Sequence, residues 1–195
     1  MKFVGLLLAA GLGQRFDPTG ARLKLLEPAV LGAHAGAPIA VAAARTVRAV
    51  LSVVHAVVRP PLSPTQQQLH ALLIAEGCRL IVCENADQGM GASLACGVRA
   101  TAGAEGWIVA LADMPAVRAT TIAKVLGALE TGAITAAPRF GGQRGHPVGF
   151  SRVCYEELAA LQGDQGARSV LRAHPPTVIE VSDPGCLLDI DTPAP

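Results

Sequence analysis

The sequence predicts an α/β fold of three layers, with a mostly parallel central sheet between helices. Three observations predict it. Short apolar runs recur along the chain, helix-length segments separate them, and glycines mark several of the junctions. Parallel strands covered on both faces read as near-continuous apolar runs rather than alternating ones. Joining such strands through helical crossovers places helices on both sides of the sheet. A length of 195 residues suits a single domain over 1–195, and 51% hydrophobic residues supply a sizeable core.

The strands expected are Phe3–Leu8, Val53–Val58, Arg79–Cys83, Trp107–Leu111 and Ile134–Ala137. The first helix, Pro38–Val50, opens on a proline at the first helical position, where a missing N–H does no harm. Thr65–Glu76 closes at Gly77 and Thr120–Thr131 at Gly132, with Met90–Thr101 between them. The last third is less regular. Gly141-Gly142 predicts a hairpin turn between Ala136–Phe140 and Pro147–Phe150, and Ser151 predicts an N-cap for a helix over Arg152–Leu161. No repeat, low-complexity tract or linker interrupts this plan.

Composition excludes several functions. A formal net charge of +1, with 16% charged residues, gives no electrostatic basis for binding nucleic acid or an anionic membrane. Aromatic residues, at 3%, do not furnish stacking platforms for single strands. Lys2 followed by the apolar run Phe3–Ala10 has the order of a signal peptide. That run leads directly into Gly11-Leu12-Gly13-Gln14-Arg15, however, and so reads as a buried first strand entering a turn. No apolar stretch reaches the roughly 18 residues of a membrane span. The five cysteines, at 78, 83, 96, 154 and 186, form no CxxC pair. They read as reduced thiols of a cytoplasmic protein, not as a disulfide framework or a zinc site.

Open parallel sheets bind ligands at the carboxyl ends of their strands. After the first strand comes Leu8-Ala9-Ala10-Gly11-Leu12-Gly13-Gln14-Arg15-Phe16, where glycines let backbone N–H groups approach phosphate oxygens and Arg15 adds a planar fork of donors. It is not a Walker loop, and Phe16 occupies the third glycine position of a dinucleotide fingerprint. A plain structural turn is the alternative. From Gly11 to Gly36 no clear helix or strand is expected, and a loop of that length is usually functional. It carries Arg15, Arg22 and Lys24, the last among Leu23, Leu25 and Leu26. A lysine there either sits over a triphosphate or is solvated at the surface. Trp107–Leu111 delivers Asp113 to the sheet edge, where a carboxylate can bind Mg²⁺ or simply cap a turn. Asp189 and Asp191 are two carboxylates at alternate positions, on one side of an extended segment.

Taken together, these residues resemble the molybdenum cofactor nucleotidyltransferases, and within them the cytidylyltransferase branch. The matching stretches run in order through most of the chain. They are Leu8-Ala9-Ala10-Gly11-x-Gly13-x-Arg15-Phe16, Lys24-Leu25-Leu26, Gly89-Met90-Gly91-Ala92-Ser93-Leu94-x-x-Gly97, Leu111-Ala112-Asp113-Met114-Pro115, Arg144-Gly145-His146-Pro147-Val148, Gly163-Asp164-x-Gly166-Ala167-Arg168 and Asp189-Ile190-Asp191-Thr192-Pro193. The first is shared with sugar-phosphate and methylerythritol cytidylyltransferases, whereas the later ones in this order are more specific.

The resemblance implies a Rossmann-like nucleotidyltransferase fold and transfer of CMP from CTP to the terminal phosphate of molybdopterin, with release of pyrophosphate. It implies that Ala9, Ala10, Gly11 and Gly13 hold the nucleotide and that Arg15 and Lys24 neutralise the triphosphate. Ser93 would touch base or ribose. Asp113, with Asp189 or Asp191, would bind Mg²⁺, and His146, Asp164 and Arg168 would face the acceptor. A molybdoenzyme or its chaperone is the implied transient partner. His146 could equally fix the turn before Pro147, and Arg168 could be an ordinary surface ion pair.

Asp17 replaces a glycine usual in this family, and the loop before Lys24 is longer, which leaves the role of Arg22 open. Ala10 stands where the guanylyltransferases tend to carry a second glycine, and its methyl group favours CTP over GTP. Other acceptors, a dinucleotide-binding oxidoreductase and a non-catalytic cofactor carrier are the alternative readings.

Overall fold

The computed structural model describes residues 3–11, 13, 16–17 and 22–190. Four strands run parallel in the order β3-β2-β1-β4. These are β1 (Phe3–Leu8), β2 (Val54–Val58), β3 (Arg79–Val82) and β4 (Gly106–Leu111). Beyond β4 the sheet continues through an antiparallel strand, β7 (Val148–Ser151), to β5 (Thr135–Phe140). A two-residue strand, β6 (Gln143–Arg144), and an exposed strand, β8 (Thr177–Glu180), also pair with β5. β8 is not among the strands expected, although Thr177-Val178-Ile179 is a β-branched run after two prolines; most of its residues face solvent.

Alternation along the strands divides the core. Leu7, Ile108 and Ala110 point into one apolar layer, with Ile39 and Val47 of α1 (Ile39–Arg48), Leu69 and Leu73 of α2 (Pro64–Ala75), and Ile122, Val125 and Leu129 of α4 (Ala119–Glu130). Val4, Leu6, Trp107 and Val109 point into the other. They meet Leu94 and Val98 of α3 (Met90–Ala100), Leu158 of α5 (Tyr155–Ala159) and Val170 of α6 (Arg168–Ala173). Successive strand residues face opposite sides, so a wholly apolar strand must be covered twice. The three-layer arrangement predicted from the apolar runs follows from that requirement.

Local signals act largely as expected. Ser63 caps α2 by accepting a hydrogen bond from the Gln66 amide at 3.2 Å, and Gly77 and Gly132 take positive φ just past α2 and α4. Pro38 is the N-cap of α1 rather than its first helical residue, and its carbonyl accepts the Ala42 amide.

Three expectations are corrected. The Gly11–Gly36 segment contains a short 3-10 turn, Lys24–Leu26, and a bridge between Pro28 and Pro38. Gly141 and Gly142 do make the tight turn, with φ of +56° and +82°, but its partner strand is β6. Three steps along β5, Ala136 to Arg139, face five steps along the return strand, Gly149 to Arg144, so the return strand bulges at Gly145, His146 and the cis-Pro147. Ser151 occupies an N-cap position, but its hydroxyl caps nothing. A 3-10 turn, Arg152–Cys154, follows it before α5 begins.

Candidate active site

The carboxyl ends of β1 and β4 are neighbours. The Ala9 amide donates to the Val57 carbonyl at 2.9 Å and the Ala112 amide to the Leu8 carbonyl at 3.0 Å, so the sheet pattern extends to where the loops leave it. Ala9 and Ala10 are buried there, and Gly11 is exposed. Two residues beyond β4, Asp113 reaches the same edge. Its carbonyl accepts the Ile190 amide at 3.0 Å, which draws the C-terminal segment alongside.

Lys24 comes from the 3-10 turn and is only 8% exposed. Its Nζ donates to Asp113 Oδ2 at 2.8 Å. The apolar neighbours that marked Lys24 in the sequence bury its stem, and its ammonium meets the Asp113 carboxylate at this edge. Gly13, at φ +65°, passes over that stem.

The opposite wall is the 3-10 turn Ala86–Gln88 and the start of α3. Gly89, at φ +112°, joins them, and a side chain there would run into Gly163 and Asp164. The Gly91 amide donates to the Gly163 carbonyl at 2.8 Å and the Met90 amide to Asp164 Oδ1 at 3.3 Å. The loop before α6 thus satisfies two of the first-turn amides of α3. Ser93 is buried one turn in and donates to the Gly89 carbonyl at 3.3 Å.

These walls enclose a cavity of about 280 Å³. Ala9, Ala10, Gly11, Gly13, Lys24, Ser93, Asp113 and Asp164 all line it, although they come from five separate stretches of the chain. Arg15 and Asp191 lie outside the described residues. His146 does not line this cavity. It sits in the bulge before β7, beside a small space shared with Thr46, Met114 and Ile122. Among the described residues its Nδ1 has no hydrogen-bond partner, and burial lowers its pKa. The Asp113 and Asp189 carboxylates oppose that shift and Arg144 adds to it. Arg168 opens α6 and is exposed to solvent, as is Asp189. The structure therefore does not bring His146, Asp164 and Arg168 to one place.

Among the described residues, no three His, Cys, Asp or Glu side chains converge as a metal-binding group. Asp113 nevertheless fits a hard divalent cation, since Mg²⁺ typically takes one or two carboxylates and fills its other positions with water and phosphate oxygens. Asp189 lies next to Ile190, whose amide donates to the Asp113 carbonyl, so it is the nearest C-terminal carboxylate to this edge among the described residues.

Sequence reasoning missed Arg59. It directly follows β2 and lines the cavity. Its Nε donates to the Ala10 carbonyl at 2.6 Å, and its Nη1 pairs with Asp87 at 2.5 Å. The rule that located Asp113, a charged residue delivered by an apolar strand to the carboxyl edge, could have found it.

The MobA-like NTP transferase domain model matches residues 5–178. The chain belongs to that family. Nicotine blue oxidoreductase of Paenarthrobacter nicotinovorans is 32% identical over 96% of this chain and 91% of its own. The purine catabolism protein PucB of Bacillus subtilis is 36% identical over 64% of this chain, a match that spans 62% of PucB. Among solved structures, Rv0371c of Mycobacterium tuberculosis is similar with a TM-score of 0.77 at 25% identity, covering 97% of this chain and 93% of that one. The same protein has been solved as a manganese complex, with a TM-score of 0.70 at 22% identity, covering 98% and 90%. A nucleotidyl transferase of Methanothermobacter shares the fold, with a TM-score of 0.78 at 21% identity, covering 97% and 92%. The α/β fold with its mostly parallel sheet is thus that of the nucleotidyltransferases. Among the described residues, no helix is long and apolar enough to cross a membrane.

Proposed function

We propose that this chain, acting as one cytoplasmic domain, transfers CMP from CTP to the terminal phosphate of molybdopterin and releases pyrophosphate. The observation that carries the reading is the Lys24–Asp113 pair at 2.8 Å, set in the floor of a cavity walled by Ala9–Gly11 and Gly13. One short stretch of sheet edge offers both signs of charge that nucleotidyl transfer needs. Lys24 supplies a buried cation for triphosphate oxygens, and Asp113 supplies a carboxylate for a divalent ion. Asp113, with Asp189 or Asp191, would hold Mg²⁺, which when bound neutralises phosphate charge. The manganese in the mycobacterial protein is a divalent cation of the same oxygen-accepting kind.

The chemistry asks little covalent work of the protein. An oxygen of the acceptor phosphate forms a bond to the α-phosphorus, and the bond from that phosphorus to the β-phosphate bridging oxygen breaks. A phosphate monoester is already anionic at neutral pH, so no general base is required. Lys24, Arg15 and the amides of the first loop would stabilise the charge on the departing pyrophosphate. Ala10 lines the cavity and packs against Val57, Cys83 and Ala86, and a methyl group at that position would leave less room for a purine than for a pyrimidine. His146, Asp164 and Arg168 remain the residues proposed for the acceptor side, with Asp164 the one that lines the cavity.

Pyrophosphate release from each of four nucleoside triphosphates, with molybdopterin and with sugar-phosphate acceptors, tests this reading. Release with CTP and molybdopterin is expected. A clear preference for GTP, or for another acceptor, would replace that part of the proposal. The oxidoreductase name of the relative matched over 96% of this chain favours a second reading, a redox enzyme on the same fold. Tight binding of a nicotinamide cofactor without triphosphate turnover would favour it.

A further inference from the structure

Arg59 is placed to do more than line the cavity. In the strand order β3-β2-β1-β4 it leaves from β2, between the loop that follows β1 and the turn that follows β3. Its backbone is anchored, since His70 Nε2 donates to the Arg59 carbonyl at 2.8 Å. Its side chain is 14% exposed and reaches both neighbours, donating to the Ala10 carbonyl on one side and to Asp87 on the other. One planar guanidinium thereby ties together the two walls of the cavity, which a lysine ammonium could not do in a fixed plane. Asp87 itself is 76% exposed, so the ion pair alone contributes little stability. The bond to Ala10 is the one made in a protected place.

Arg59 also lines, together with Ala9, Gly11 and Leu23, both the main cavity and an adjoining one of about 80 Å³ whose lining includes Ser63, Gln66 and His70. The Lys24–Asp113 pair lies on the far side of β1 from it. Phosphates are drawn to that side, because Lys24 and a divalent ion supply net positive charge. The nucleoside is left to the side where Arg59 and Asp87 cancel each other's charge.

We infer that Arg59 is a positioning residue that sets the size of the nucleoside end of the cavity and, by holding the Ala10 peptide, its preference between pyrimidine and purine. The choice of ligand rests on the nucleotidyl-transfer reading. Removing the guanidinium frees the Ala10 peptide and thins the wall shared with the adjoining space, which makes room for a second ring.

The test is calorimetric titration of CTP and of GTP, with Mg²⁺ and without acceptor, on the parent protein, Arg59→Ala and Arg59→Gln. Thermal unfolding confirms that each variant folds. Arg59→Ala should weaken CTP binding by about tenfold, the scale of one lost hydrogen bond, and narrow the CTP-to-GTP affinity ratio by a similar factor. Arg59→Gln keeps one donor within reach of Ala10 and should fall between the two. In turnover the effect should fall on KM more than on kcat, and added guanidinium ion should partly restore CTP affinity to Arg59→Ala. Ala10→Gly should shift the ratio in the parent background but little in Arg59→Ala, because both substitutions loosen the same stretch of backbone at Ala10. An unchanged ratio in both Arg59 variants, or additive shifts with Ala10→Gly, would overturn the inference. Binding without pyrophosphate release on any acceptor would sink only the transfer reading, and a parent protein that binds neither nucleotide would sink both.

Discussion

In the parallel half of the sheet, β1, β2 and β4 each end by handing a polar or glycine-rich loop to the same open edge. Lys24, Arg59, Asp87 and Asp113 gather there around a cavity. In the antiparallel half a carboxylate turns inward and is fully engaged, while His146 Nδ1 and Ser151 Oγ are buried with no hydrogen-bond partner among the described residues. Asp183 is 2% exposed and accepts the Arg118 amide at 2.9 Å, the Thr121 hydroxyl at 2.6 Å and the Gly185 amide at 3.0 Å. The Cys186 carbonyl accepts the His146 amide at 2.8 Å, and Gly145 lacks the side chain that would block that approach. Parallel strands all end at one edge, so their loops converge with room for a ligand. A strand that bulges back between β4 and β5 has no such edge, so its backbone groups pair within the protein, as the His146 amide does with Cys186.

Substitutions at the open edge should break activity while sparing the fold. Asp113→Asn and Lys24→Ala are each expected to lower turnover by roughly 10²–10³, the scale of losing one preorganised charge-stabilising group. Circular dichroism should remain that of the parent. Activity within a few-fold of the parent at saturating Mg²⁺ would remove the residue from the site. Applied separately to Asp189 and Asp191, the same assay asks which of them is the second ligand.

Asp183→Ala should do the reverse. It strands three donors around a buried carboxylate position, a loss of about 3 kcal/mol, or roughly 6–12 °C in Tm for a chain of this size. The kcat of the folded fraction should change little. A large fall in kcat without a fall in Tm would show that the buried half reaches into the chemistry.

His146 sharpens the comparison through pH. Burial lowers its pKa in the folded state from an ordinary value of 6.5. The unfolded chain therefore takes up a proton first as the pH falls. Stability is complete above about pH 6.5, declines below it and levels off beneath the folded pKa. His55, also lowered by burial, adds a slope of the same sign. His146→Gln should flatten part of the acid decline in denaturant midpoints. An unchanged slope would mean that His146 is protonated alike in both states.

The smallest effect is expected at Arg22. It pairs with Glu27 at 2.8 Å, lies over the Phe16 ring and donates its own amide to the Asp17 carboxylate, all within its own loop. Arg22→Ala should change turnover by less than about threefold, since an exposed pair of this kind contributes little. A loss matching that of Lys24→Ala would place the lengthened loop in the site.

Much of this was legible without coordinates. The apolar runs determined the strands of the parallel half, because a strand covered on both faces can carry few polar residues. The same runs placed Asp113 at an edge, because the first carboxylate after such a strand has nowhere else to go. The glycines after α2 and α4 marked where those helices stop, through positive-φ backbone conformations that favour glycine. Only the tertiary structure decided that Lys24, distant from Asp113 in sequence, reaches it at 2.8 Å. It also decided that β7 enters antiparallel between β4 and β5, that β8 adds an exposed edge, and that Arg59 spans two loops. These are pairings between segments far apart in the chain, and each side chain involved is a common surface type whose role depends on its neighbour. Local sequence carries the period and the turns; which edge meets which loop is set by how the whole sheet closes over its two cores.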